Sequence, residues 1–241
     1  MNIKEFYKTA YLQAPPDLKH RQIKLYCGGG WVTLPTLTGK LIRTVEDLRP
    51  ILVELEPTAV YISVSTFLHP ELLASRKLKL SGYPHLSNSI INSDFLVDID
   101  HSPNLLLDIN RAYNYLTHNG FKEFKFVRTK RGAHIWVLDF FKKICTQKIP
   151  NPLIREFYIE QQRTILANEL KHYEINFDYK VSVDTRRVAR LWGSLHNDGF
   201  TVCKAYDTLT AFTRDYALHH KKTLSESEKT THKVILRSMR H

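Results

Sequence analysis

Two aspartates one residue apart, Asp98 and Asp100, stand in the run DFLVDID. On a strand, side chains alternate between faces, so both carboxylates project from one face while Val97 and Ile99 point to the other. Two such carboxylates repel each other unless a cation lies between them, and a hard divalent ion suits their oxygens. A solvated polar face, or the D-x-D pair of sugar-nucleotide transferases, gives the same spacing. A second group, KFVRTKRGAH, ends on His134. Its Lys130, Arg131 and Gly132 form a basic turn suited to nucleotide phosphates, with Gly132 permitting close backbone approach. A third group, VDTRRVARLWGSLH, opens near Asp184 and gathers Arg187, Arg190, Ser194 and His196 around a turn at Gly193. Standing alone it reads equally as an arginine-rich surface strand. Together the three groups have one chemistry. Two Mg²⁺ or Mn²⁺ ions held by Asp98, Asp100 and Asp184 would lower the pKa of an attacking hydroxyl and stabilise a leaving pyrophosphate. Positive side chains would hold the triphosphate and offset charge in the transition state.

The elements that must position these groups are legible in outline. DFLVDID predicts a short strand, and Ser102-Pro103 predicts a helix N-terminus. Leu106, Ile109, Tyr113 and Leu116 recur at helical spacing until Gly120 stops them. Phe121–Val127 and Ala133–Phe140 follow as strands joined by the basic turn. Asn151-Pro152 opens a second helix, and Val181–Leu191 reads as a further strand and turn. The order β-α-β-β-α-β is the split ferredoxin-like unit of RNA-recognition modules, whose first and third strands are neighbours at the sheet centre. Such a sheet would set His134 beside the aspartates. Upstream, helices are predicted near Asn2–Leu12 and Val45–Leu55, a buried strand at Ala59–Thr66, and turns at Pro15-Pro16 and Cys27–Gly30. The triple glycine lacks a following G-K-[ST] and reads as a turn rather than a phosphate loop.

Composition narrows the setting. The chain has 241 residues, 43% of them hydrophobic, which excludes wholesale disorder. No apolar run approaches the ~20 residues of a membrane span, and MNIKEFYKTAYLQAPP lacks the basic-then-apolar pattern of a leader. The expectation is a soluble intracellular chain, cytoplasmic and nucleoid-associated, or nuclear in a eukaryote. Cys27, Cys145 and Cys203 are too few and too far apart for a disulfide framework or a Cys-based zinc site. A net charge of +11 points to a polyanionic partner, nucleic acid or a membrane surface. At least eight basic residues (Lys125, Arg128, Lys130, Arg131, Lys180, Arg186, Arg187 and Arg190) flank the three aspartates in sequence. Arg76-Lys77-Leu78-Lys79 and the C-terminal stretch Arg214–His241 are left for a template backbone, the latter as a tail or helix.

On these residues the sequence resembles the catalytic small subunit of the archaeal–eukaryotic primase superfamily. DFLVDID matches the family's strand of two metal ligands, VRTKRGAHIWV its basic turn and histidine, and SVDTRRVARLWGSLH its aspartate followed by R-L-x-G-S-L-H. More weakly, FYKTAYLQAPPDLKHRQIKLY matches the opening, with Arg21 at the family's arginine and Gln22 at its acid. The resemblance spans roughly residues 1–215. It departs in three ways: Arg128 and Thr129 stand where Ser-Gly is usual, Trp192 replaces a proline, and only 33 cysteine-free residues separate Asp100 from His134, so there is no zinc knuckle. In that compactness the chain is closer to the polymerase domains of bacterial end-joining ligases and to primase–polymerases of mobile elements.

The resemblance implies an α/β (α+β) fold, the primase catalytic core, as a single domain over 1–241. An N-terminal α/β module (about 1–90) would pack on an RRM-like split β-α-β module (about 91–215), with the active site in the cleft between and a basic tail or helix over 216–241. It implies that Asp98, Asp100 and Asp184 bind the catalytic Mg²⁺ or Mn²⁺, with no zinc. It implies that His134 contacts the incoming triphosphate with Arg190, Ser194 and His196, with Thr129 as a displaced hydroxyl beside Lys130 and Arg131. The implied activity is primer synthesis or extension on a DNA template from NTP or dNTP. The implied partners are a primase large subunit, a helicase or a ligase, and no membrane. Two other readings stay open: a gap-filling or end-joining polymerase rather than a true primase, and a noncatalytic nucleic-acid-binding replication subunit. A sugar-nucleotide transferase would leave Ser182–His196 and the basic charge unexplained.

Overall fold

A computed structural model describes residues 1–36, 39–74, 90–100, 102–145, 149–220 and 226–237. In chain order its elements begin with α1 (Ile3–Thr9), β1 (Ile23–Cys27), β2 (Gly30–Leu34), α2 (Val45–Leu55), β3 (Ala59–Ser63), β4 (Ser65–Phe67) and β5 (Ile90–Ser93). There follow β6 (Phe95–Asp100), α3 (Leu105–His118), β7 (Phe124–Arg128), β8 (Gly132–Val137), α4 (Phe140–Ile144) and α5 (Pro152–His172). The rest are α6 (Tyr179–Val183), β9 (Val188–Arg190), β10 (Lys204–Tyr206), α7 (Leu209–His220) and α8 (Glu226–Arg237). The fold is mixed α/β, and among the described residues every strand pairing is antiparallel. Among the described residues no helix is long and apolar enough to cross a membrane. The basic run Arg76-Lys77-Leu78-Lys79, Lys221-Lys222 and residues 238–241 lie outside the described residues.

The chain divides into two compact units. The first comprises Met1–Ser93, Cys145–Glu160 and Thr185–Cys203. Its main sheet has the order β2-β1-β3-β9, and a separate β4-β5 ribbon stands beside it. The β1–β2 hairpin turns on Gly28 and Gly29, whose positive φ values of 52° and 90° suit a tight two-residue loop. Helix α2 starts in a capping box: the Thr44 hydroxyl accepts from the Asp47 N–H, and the Asp47 carboxylate accepts from the Thr44 N–H.

The single strand expected over Ala59–Thr66 is broken at Val64. There the Ser63 hydroxyl donates to the Ser65 carbonyl at 2.6 Å, a local bond that bends the chain between β3 and β4. Arg21, fully buried, clamps the bend by donating to the Ser63 and Val64 carbonyls and to that of Pro16. The arginine of the weak N-terminal match is thus a backbone clamp.

The second unit comprises Asp94–Ile144, Gln161–Asp184 and Lys204–His241. Its sheet has the order β10-β7-β8-β6, so β8 inserts between β6 and β7, and α3 connects that split pair. Two expectations change here. β6 and β8 are neighbours as expected, but β6 is the edge strand rather than a central one. The strand expected over Val181–Leu191 does not exist as one piece. Asp178 accepts from the Val181 N–H and nucleates α6, and the strand character begins only at Val188, as β9 of the first unit. The fourth strand of this sheet is β10, paired to β7.

Helix α3 also starts later than Ser102-Pro103 suggests. Asn104 is its N-cap, and the Ser102 hydroxyl instead donates to the Asp108 carboxylate and accepts from the Asn104 N–H. Burial pushes Asp108 above the ordinary carboxylate range despite the Ser102 hydroxyl and the Asn176 backbone. Leu106, Ile109, Ala112 and Leu116 give α3 its fully buried stripe. Residues 216–220 continue α7, and α8 packs on α3.

Candidate active site

In the second unit, the β6–β8 register sets Asp98 opposite His134 and Asp100 opposite Gly132. His134 Nε2 lies 3.3 Å from Asp98 Oδ1, with both side chains largely buried. His134 Nδ1 is buried and has no hydrogen-bond partner. A buried polar atom left so is costly unless a ligand or water meets it. Asp100, one step on, is exposed at the end of the edge strand.

Gly132 makes that arrangement possible through close approach. A Cβ on it would lie 2.0 Å from the Ile99 carbonyl oxygen and 2.7 Å from Asp100 Oδ1. The turn before it is closed by Thr129, whose N–H donates to the Gly132 carbonyl while its hydroxyl accepts from the Gly132 N–H at 3.1 Å. Thr129 is buried, and Lys130 and Arg131 are exposed at the tip.

Asp184 belongs to the same unit, as the C-cap of α6. Helix α6 packs on β6, and the Asp178 N–H donates to the Asp98 carbonyl at 2.7 Å. Arg163 of α5 ties the same two elements together. Fully buried, it donates from Nη1 to the Asp184 carbonyl at 2.6 Å and from Nη2 to the Asp94 carbonyl at 2.5 Å, just before β6. Arg163 is absent from the sequence reading, yet the sequence carries its signal. It shares a helical stripe with buried Ile159, Leu166, Ala167 and Leu170, where an arginine needs a buried partner.

The remaining predicted residues lie in the first unit. Arg190, on β9, is buried and sets its guanidinium over the Tyr61 ring at 4.1 Å, with Nη1 lacking a hydrogen-bond partner. Ser194 is fully buried and its hydroxyl donates to the Leu191 carbonyl at 2.7 Å, holding the turn. His196 is half-buried, with its N–H donating to the Thr201 carbonyl. Gly193 between them has φ 82°, and a Cβ there would meet the Tyr11 carbonyl oxygen at 2.1 Å. Trp192, in the family's proline place, is buried and its carbonyl accepts from the Gln13 N–H.

Several flanking basic residues have acidic partners inside their own unit. Lys125 pairs with Asp207 at 2.5 Å, Arg128 with Asp215 at 2.7 Å, and Arg186 with Glu156 at 3.1 Å. Asp215 also faces Lys204, His219 and the Tyr206 hydroxyl. Burial raises its pKa, but Tyr206, Arg128, Lys204 and His219 together hold it below the usual carboxylate value.

Among the described residues, no group of three or more His, Cys, Asp or Glu is assembled to hold a metal ion. The donors present nonetheless fit a hard cation of the Mg²⁺ type. Such an ion keeps several waters and takes one or two carboxylates plus substrate phosphates, rather than an all-protein cage. Asp98 and Asp100, both on one face of β6, supply that much.

No family model matches the sequence, and no curated protein matches it. Among solved structures, the polymerase domain from Mycobacterium tuberculosis Ligase D, in complex with DNA, is similar at a TM-score of 0.47 and 14% identity. The match covers 95% of this chain and 75% of that one.

Proposed function

We propose that the chain is a metal-dependent nucleotidyltransferase of the primase–polymerase type, adding NTP or dNTP to a strand on a DNA template. The observation that carries this reading is the β6–β8 register, which sets Asp98 against His134 and Asp100 against a side-chain-free position. Asp98 and Asp100, with Asp184, are the metal ligands in this reading. A divalent cation bound there would acidify the attacking hydroxyl and neutralise the leaving pyrophosphate. His134, oriented by Asp98, offers its Nδ1 side to the triphosphate, and Lys130 and Arg131 add positive charge at the adjoining turn. Thr129 and Ser194 act through the turns they close, and the family resemblance adds Arg190 and His196 as contacts of the triphosphate. The working setting is intracellular, beside a large subunit, helicase or ligase.

The test is incorporation of labelled NTP or dNTP on a single-stranded template, with and without primer, in Mg²⁺ and in Mn²⁺. Short products without primer define a primase; product only with primer defines a gap-filling or end-joining polymerase. Asp98→Ala combined with Asp100→Ala should abolish incorporation with the melting temperature retained. Full activity in that variant refutes the assignment. Arg128, held by Asp215 in place of the family's serine, favours a second reading as a noncatalytic DNA-binding subunit. DNA binding indifferent to metal and triphosphate, with no incorporation, would select it.

A further inference from the structure

The sheet of the first unit carries a row of aromatic rings on the face turned away from its core. Cross-strand partners share a face, and residues two apart on a strand do too. Tyr26 is paired with Trp31, Lys24 with both Thr33 and Tyr61, and Tyr61 with Arg190. These side chains therefore occupy one face, while Ile23, Leu25, Val60 and Ile62 fill the buried one. Along the row the ring centroids of Tyr26 and Trp31 are 5.2 Å apart and those of Trp31 and Tyr61 are 5.4 Å apart. Trp31 is 57% exposed, unusual for so large a ring on a paired strand. Tyr61 is held from both sides, by the Arg190 guanidinium over its ring and by Asn197 3.3 Å from its hydroxyl.

Charge decides what such a row receives. The four strands of this sheet contain Lys24 and Arg190 and no aspartate or glutamate. The hairpin tip beyond Tyr26 and Trp31 is two glycines with open space around them, so a bulky chain can pass close to the backbone. Flat rings in series on an acid-free, cationic sheet suit an anion with stackable planes at regular intervals. Every base has a π-face, so this recognition tolerates any sequence, but it requires unpaired bases.

We propose that Tyr26, Trp31 and Tyr61 form a stacking platform for the bases of a single-stranded nucleic acid, whose phosphates suit a sheet that carries Lys24 and Arg190 and no acid. As the seat of a template strand the platform rests on the function proposed above. As a binding surface it stands on its own, requiring neither metal nor triphosphate.

Tryptophan emission gives a direct readout, because Trp136 and Trp192 are buried at 0% and 2% exposure and only Trp31 can meet a ligand. The full-length chain is titrated with a fluorescein-labelled twelve-residue oligo(dT) in EDTA, following anisotropy, and with the unlabelled oligomer, following Trp emission. Binding with quenching is expected. Trp31→Ala should weaken binding roughly 5- to 150-fold, the loss of about one base stack, and remove the quenching. Trp31→Phe should restore binding, and a blunt twelve-base-pair duplex should bind without quenching. Unchanged melting curves establish that both variants are folded. The proposal is overturned if wild type fails to bind the oligomer, binds it without quenching, or binds it equally well as Trp31→Ala. Asp98→Asn with Asp100→Asn separates the two readings: oligomer binding with quenching should survive in it. If wild type incorporates no nucleotide yet quenches, the polymerase reading fails and the platform stands.

Discussion

Replacing Gly132 with alanine tests whether the aspartates owe their position to strand contact. The added methyl would start 2.0 Å from the Ile99 carbonyl oxygen and 2.9 Å from the Asp100 Cα. Ordinary contact begins near 3.4 Å, so β8 and β6 must separate locally by about 1.4 Å. The obstructing atoms are backbone, so no rotamer change relieves the clash. Over-packing of this kind costs about 1–3 kcal/mol, or roughly 2–12 °C in melting temperature for a chain of this size. On the function proposed above, the activity cost is larger. A displacement of about 1 Å at reacting groups lowers rate by about 10²-fold, and the shift here falls on Asp100 itself. Gly30→Ala is the control, because the nearest atom to its added methyl is the Cys27 carbonyl oxygen at 3.7 Å; its melting temperature should be unchanged. Calorimetry and template-dependent incorporation are read on both variants. Gly132→Ala with wild-type melting and wild-type incorporation would refute the claim that this glycine sets the site.

Arg163→Met should destabilise the chain by about 2–5 kcal/mol, since it strands the buried Asp184 and Asp94 carbonyls. Incorporation should fall further than the unfolded fraction explains, which a rate normalised to folded protein will show. Asp215 titrates below its ordinary value, so its ionised form stabilises the fold above about pH 4 and that support drains away as pH falls through the lower folded value. Asp215→Asn should cost about 1.5–3 kcal/mol at neutral pH by stranding Arg128, and should flatten the acid limb of stability below about pH 4. A parallel acid limb in denaturant melts of the two proteins would count against it.

The sequence showed most where a pattern is local. The strand pair DFLVDID and GAHIWV, the α3 stripe and the glycine turn are periodic or turn signals that need no distant partner, and all three are present. The misses share one cause. Val181–Leu191 has the β-branched content of a strand, but the Asp178 side chain caps a helical turn over its first residues. Ala59–Thr66 reads as continuous, but a Ser63 hydroxyl and the distant Arg21 break it. The edge position of β6 was hidden because β10, the strand that pairs with β7, is three residues long and lacks any period.

The basic charge shows most sharply what spacing conveys and what it leaves out. Counting Lys and Arg near the aspartates in sequence treats each as available to a phosphate. In the folded chain, Lys125, Arg128 and Arg186 are engaged by Asp207, Asp215 and Glu156, acids 82, 87 and 30 residues away. A cation with a carboxylate at 2.5–3.1 Å contributes little field beyond its partner. Lys130 and Arg131 stand at an exposed turn tip, and the buried Arg190 has an Nη1 without a hydrogen-bond partner. The affinity for polyanions therefore depends on which cations the fold leaves accessible more than on the net +11. In the first unit the buried Arg190 lies on the ring of Tyr61, so charge and ring share the same sheet face.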